Sequence, residues 1–396
     1  MTTTQTFDWR SPEFLADPYA HYKALREAAP MHFRDAAASM NEAGGYVLTR
    51  YNDMVGVLRE HDRFSAERQG GPQIDNDIPR SMLGSDPPHH TRLRTLVNKA
   101  FTPRMVERWR SRVEEIVNKW LDRAEAKGTL DVIADFAYPL PITVISEMLG
   151  VDAEDRELFK EASNKIAVAL GPIDDMAIAM KAMEGRNQLL EYFRNVLPER
   201  RANPRDDLLS ALIAAEDAGD RLSHGELLAM LLLLLVAGHE TTVNLIGNGL
   251  LALLSNPEQL ERLRTEEGIE KKAVEEFLRY DSPVQFTGRV VVQETEIAGK
   301  IFQPGMFVTC LLGSANRDPE VFDDPDTLDI GRDPCPHLSF SAGIHYCLGA
   351  QLARLEGEIA LSTIVRRFSN LALTDAKLEW RPAPILRGLV ALPVTF

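Results

Sequence analysis

Apolar residues recur at helical spacing over most of the N-terminal two-thirds of this chain, with polar residues filling the other faces. A helix opens at Asp17-Pro18 and runs over 17–25. Within 108–126, Val113, Ile116, Val117, Trp120 and Leu121 share one helical face. Segments 140–149, 154–170, 175–197 and 206–215 read as further helices separated by short breaks. Strand signals are confined to a few places. One is 45–49; others follow Gly288, where 289–292, 296–301 and 306–311 are separated by turns at Gly299 and Pro304-Gly305. A last β-like piece spans 389–396. The pattern predicts a mainly α protein in which 1–396 form one domain. Its small, mainly antiparallel β part lies near 45–50, 289–312 and 389–396.

One helix differs from the rest. Ser223-His224-Gly225-Glu226 forms a capping box, and 227–236 is then apolar on every face. A helix of that kind lies in the middle of a soluble protein. The apolar run 227–238 is shorter than the roughly 18 residues that suggest a membrane span. Gly238-His239-Glu240-Thr241-Thr242 then interrupts it in helical register. In one reading the threonines simply bond back to the preceding turn. A glycine, a carboxylate and hydroxyls are unfavourable in a buried helix, however, and a cofactor lying against them explains the cluster better.

The stretch from Phe340 to Gly349 sets Cys347 in a glycine-bounded turn directly before a long amphipathic segment. A helix N-terminus stabilises a thiolate, which can serve as a nucleophile or as a permanent metal ligand. The chain carries 44 Lys+Arg against 59 Asp+Glu, a net charge of −15, which disfavours nucleic acid and anionic membranes as partners. Three cysteines, with no basic-then-apolar leader at the N-terminus, argue against a disulfide framework and for a cytoplasmic location.

Taken together, these stretches resemble the cytochrome P-450 superfamily of haem-thiolate monooxygenases, specifically its soluble bacterial members. The resemblance rests on Ala237-Gly238-His239-Glu240-Thr241-Thr242, on Glu276-Phe277-Leu278-Arg279, and on Phe340 to Gly349, in that order along the chain. It implies a helix-rich triangular prism with small sheets and a haem b ligated by the Cys347 thiolate. Phe340 would pack near the sulfur. Gly343 and Gly349 would let the backbone pass close to the porphyrin, and Ala237 and Gly238 would leave room for O2. The family most often has glycine where Ser341 stands. His90, Arg94, Arg289 and His345 would hold the haem propionates, since carboxylates need cationic partners. Glu276, Arg279 and Arg332 would brace the cysteine loop.

The implied activity inserts one atom of O2 into a C–H bond or across a double bond, with Thr241 and Glu240 relaying protons and Glu240 connecting Thr241 to solvent. Electrons would come from a ferredoxin or flavodoxin with its NAD(P)H-dependent reductase. The docking face would draw on Arg92, Lys99, Arg104 and Arg354. The protein is expected to be a monomer serving secondary metabolism. By family position, 66–83, 167–179, 234–237, 284–286 and 385–386 line the pocket. Leu234, Val284, Phe286, Ile385 and Leu386 are apolar and Gln285 is a polar anchor, which suits an apolar small molecule. Alternatives are a peroxide-driven peroxygenase, a haem-based sensor or carrier, and a thiol hydrolase pairing Cys347 with a histidine.

Overall fold

The computed structural model describes residues 8–34, 45–67, 78–170, 175–217 and 222–396. Its organising element is the central helix, His224–Leu254, of 31 residues. The capping box forms: Ser223 Oγ accepts from the Glu226 N–H, and the Glu226 carboxylate accepts from the Ser223 N–H at 2.8 Å. The helix does not stop where the apolar run stops. It carries Gly238 to Thr242 in its middle and continues for three further turns. Among the described residues it is the one helix long and apolar enough to cross a membrane, yet 72% of its most apolar window is buried inside the fold.

Around it pack Pro139–Met148, Arg156–Ala167, Met176–Ala202, Glu270–Tyr280 and Ala350–Arg367. Several expected boundaries move. The helix expected at 17–25 runs over Pro18–Ala28, capped by Asp17, which accepts from the Tyr19 and Ala20 N–H groups, and an unexpected short helix, Pro12–Ala16, precedes it. The helix expected at 175–197 extends to Ala202, carrying Pro198 within it. The segment before Pro139–Met148 is a π-helical turn, Val132–Ala137, closed by the Tyr138 N–H on the Ile133 carbonyl. This wide turn has no apolar period of its own, so pattern reading passes over it.

The larger sheet has the order Met31–Arg34, Gly45–Leu48, Phe307–Cys310, Thr287–Val291, Phe64–Ser65. Only the pairing of Gly45–Leu48 with Phe307–Cys310 is parallel within it. Thr295–Ile297 and Lys300–Phe302 form a separate hairpin, with Ala298 and Gly299 both at positive φ in its tight turn. Of the expected strand 389–396 only Pro393–Thr395 is extended, pairing with Leu130–Asp131 and Ala372–Leu373. A second core gathers Trp9, Phe14, Tyr22, Leu48 and Phe302 around the larger sheet.

Candidate active site

The cysteine loop is built by short-range bonds and close packing. The Cys347 N–H donates to the Phe340 carbonyl at 2.9 Å, and Gly343–His345 form a 3-10 turn between them. Ser341 has φ 62°, a left-handed conformation that favours glycine. Gly343 also has positive φ, and a Cβ there would lie 2.4 Å from the Leu58 carbonyl oxygen. Its bare backbone therefore permits close contact with the Tyr51–Arg59 helix. At Gly349 a Cβ would meet nothing within 4 Å, so one side of the loop is open.

Cys347 itself is exposed, while surrounding protein still raises its thiol pKa by burial. The Gly349 N–H, Arg94 and Arg354 oppose that rise. An exposed cysteine so crowded by protein sits in a concavity, not on a convex surface. Phe340 is buried beneath the Arg354 guanidinium, 4.6 Å from its ring. Arg354 does not present a free basic face: it donates to Glu275 at 2.5 and 2.9 Å and to the Tyr346 hydroxyl at 3.0 Å.

Four basic groups converge near this hollow. His90, on His89–Asn98, lies with its ring 4.4 Å from that of His345. Neither ring nitrogen of His90 has a hydrogen-bond partner, nor has His345 Nε2, although all are buried. Arg94 follows His90 by one helical turn, and Arg289 is 6% exposed on Thr287–Val291. Burial, then Arg289 and His90, push the His345 imidazole down to about 3; burial and then Arg94 lower His90. The nearby carboxylate, Asp86, already accepts from the Ser65 hydroxyl and the Ala66 N–H. Orphaned histidine nitrogens beside the half-buried Arg94 and the buried Arg289 make a site for anions.

On the central helix Ala237 is exposed although its neighbours Leu235 and Val236 are buried. Thr241 Oγ1 donates back to the Ala237 carbonyl at 3.2 Å. Glu240 is 1% exposed, so any link from it to solvent runs through other groups. Arg381 Nη1 donates to its Oε2 at 2.6 Å, and His239 Nε2 lies 3.3 Å from its Oε1. Burial raises the Glu240 pKa, but His239 and Arg381 outweigh it and hold it below the ordinary value. A Cβ on Gly238 would lie 3.0 Å from Ile145 Cγ1, so this glycine admits a neighbouring helix rather than an open space.

Glu276 and Arg279 are fully buried and joined by two hydrogen bonds, at 2.7 and 2.8 Å. Arg332 donates to Glu276 at 3.1 Å, and Arg279 also donates to the Asn316, Pro325 and Thr327 carbonyls. Buried charges so completely paired hold distant chain segments together.

A cytochrome P-450 family model matches residues 38–382. The chain is 42% identical to cytochrome P-450 107B1 of Saccharopolyspora erythraea, over 96% of this chain and 95% of that protein. This chain belongs to the cytochrome P-450 family. Among solved structures it matches P-450BioI in complex with hexadec-9Z-enoic acid ligated acyl carrier protein, at TM-score 0.91 and 39% identity, covering 98% and 100% of the two chains. It matches myxobacterial CYP267B1 in complex with myristic acid at TM-score 0.90 and 39% identity, covering 98% of each.

Members of this P-450 family are monooxygenases that bind haem b through a cysteine thiolate and use O2. The residues present fit that group. The orphaned nitrogens of His90 and His345 need the carboxylates that haem carries, and Gly349 leaves space beside Cys347.

Three expectations about surrounding residues are corrected. Gln285 is no pocket anchor, because Tyr22 donates to its Oε1 at 2.9 Å while its Nε2 donates to the Ser282 carbonyl and the Tyr19 hydroxyl. Phe286 packs on Trp9 at 5.0 Å, inside the second core. Arg92 is engaged by Glu226, leaving Lys99 and Arg104 as the exposed members of the expected basic face. Val284, Ile385 and Leu386 do cluster, with Ala167 and Ala383, and Leu234 is buried on the central helix. Residues 68–77 and 171–174 of the expected pocket segments lie outside the described residues. Sequence reading missed Arg381 and Tyr138 altogether. Each reaches the Gly238 to Thr242 cluster from more than a hundred positions away, and nothing in local spacing marks them.

Proposed function

We propose that this P-450 oxidises an apolar, largely aliphatic small molecule, with Cys347 as the iron ligand. Electrons come from a separate ferredoxin or flavodoxin and its reductase. The observation that carries the reading is the anion-seeking cluster of His90, Arg94, Arg289 and His345 beside an accessible yet enclosed Cys347. When bound through a thiolate, haem activates O2 so that one atom enters the substrate and the other leaves as water.

In this arrangement His90, Arg94, Arg289 and His345 hold the propionates. The Gly349 N–H donates to the sulfur and moderates its charge. The Glu276, Arg279 and Arg332 network keeps the loop in place. Thr241 and Glu240 handle protons next to the exposed Ala237. Val284, Ile385, Leu386 and Ala167 provide an aliphatic wall, which is consistent with fatty-acyl ligands in two solved relatives. Lys99 and Arg104 suit an acidic electron donor.

The test is a spectrum of the reduced holoenzyme under carbon monoxide, before and after Cys347→Ala. A strongly red-shifted Soret band in the parent, lost in the variant, is expected; a parent without that band would sink the assignment. Turnover with reductase and ferredoxin, compared with turnover on peroxide alone, separates the monooxygenase from a peroxygenase.

A further inference from the structure

Glu240 is buried, and a series of closely spaced polar groups leads away from it. His239 is fully buried and its Nδ1 lies 2.8 Å from the Leu235 carbonyl. A carbonyl only accepts, so Nδ1 carries the hydrogen and Nε2 is the nitrogen left to exchange protons. Nε2 accepts from the Tyr138 hydroxyl at 3.3 Å and lies 3.3 Å from Glu240 Oε1, a buried oxygen that has no hydrogen bond in this arrangement. Tyr138 Oη also lies 3.4 Å from the Lys160 carbonyl, so its hydrogen has two alternative acceptors.

Tyr138 lines a cavity of about 460 Å³ together with Trp120, Arg123, Lys127, Glu157 and Lys160. Arg123, Lys127 and Glu157 are exposed, so the cavity opens to water. The wide π-helical turn Val132–Ala137, which closes on the Tyr138 N–H, sets this residue between cavity and central helix.

We propose that Tyr138 and His239 form a proton-entry path joining water in this cavity to Glu240. Water gives a proton to Tyr138 Oη as Tyr138 passes its own to His239 Nε2. Nε2 then releases that proton to Glu240 Oε1. One proton moves inward, no electron moves, and the Nδ1–H bond to Leu235 is kept throughout. The charged neighbours are Lys160, 5.4 Å from the Tyr138 ring, Glu157 on the same helix, and Arg381 on Glu240. Burial, with Glu240 adding to it, raises the Tyr138 phenol well above its ordinary value, so it serves as a neutral hydroxyl. Arg381 holds Oε2, while Oε1 is buried without a hydrogen-bond partner 3.3 Å from His239 Nε2 and so has room to take the proton. Tyr138 and His239 are positioning groups that act through Glu240.

The inference rests on the monooxygenase reading, and its test separates the two. The holoenzyme is compared with Tyr138→Phe, which keeps the ring packed edge-on to His239, and with His239→Gln. Turnover is driven by a surrogate ferredoxin and reductase without added substrate. The reduced carbon-monoxide band should be unchanged in both variants. The reaction reducing O2 to water should slow roughly tenfold, with more O2 recovered as hydrogen peroxide and a larger solvent deuterium effect. In ¹⁵N-histidine spectra of the diamagnetic carbon-monoxide form, His239 should carry its hydrogen on Nδ1, and its Nε2 resonance should move in Tyr138→Phe. A wild-type peroxide yield and solvent isotope effect in both variants overturn the path. So does an Nε2-protonated His239 across the whole range from acid to alkaline pH. A parent enzyme lacking the carbon-monoxide band overturns the underlying reading instead.

Discussion

At the scale of single residues, Ser341 is the most exposed to test. Its φ of 62° places a side chain where L-residues are strained, and its buried hydroxyl finds no partner. Ser341→Gly should raise stability by about 1 kcal/mol, since the left-handed conformation costs a non-glycine residue about that much. Urea unfolding of the holoenzyme measures it, and a destabilised variant would show that the serine hydroxyl has a use. Thr241 is the second residue. Its hydroxyl rests on the Ala237 carbonyl beside an exposed position of the central helix. Thr241→Ala should leave fold and carbon-monoxide spectrum intact while diverting electrons to hydrogen peroxide. Unchanged product per NAD(P)H would count against its part in proton transfer.

Between elements, close backbone approach decides which glycines matter. Arg156–Ala167 and Met176–Ala202 pack so tightly that a Cβ on Gly185 would sit 2.5 Å from the Ala162 carbonyl oxygen. Gly185→Ala gains roughly 1 kcal/mol of helix propensity in isolation. Overpacking against backbone should outweigh that gain and destabilise the protein by about 1–3 kcal/mol. Thermal unfolding checks the sign, and a stabilised variant would mean that the two helices can separate without loss. Neither helix announces this contact in sequence, because a single glycine in a helical run has the same local pattern whether or not a neighbour touches it.

Across the whole molecule, two carboxylates tie the helices around the site together. Glu226 joins the start of the central helix to His89 and Arg92, and Glu275 joins Glu270–Tyr280 to Arg354 and His337. Burial alone would raise both pKa values, but hydrogen bonds from Arg92 and the Ser223 N–H to Glu226, and from Arg354 to Glu275, together with the histidines, bring each down to about 2. A carboxyl depressed in the folded state stabilises it above the ordinary value of 4.5, and that contribution fades as pH falls toward 2. Glu226→Gln and Glu275→Gln should therefore be less stable than the parent at neutral pH, with the gap closing between about 4.5 and about 2. A gap that persists in acid would assign these residues a purely steric role.

Much of the chemistry was legible in the chain because it depends on neighbours in sequence. A capping box, an apolar helix broken by Gly238 to Thr242, and a cysteine held before a helix each declare themselves within ten residues. The family and the mainly helical fold with small sheets follow from those motifs and from the apolar period. The partners of those motifs do not. Arg381 reaches Glu240 and Tyr138 reaches His239 only because distant segments close on the central helix. Gln285 and Phe286 turn away from the pocket because an aromatic core near the N-terminus claims them. Local order along the chain determined which reactive groups are present. Tertiary packing decided which of them are charged, which are dry and which can exchange a proton, since burial and long-range pairing set those properties.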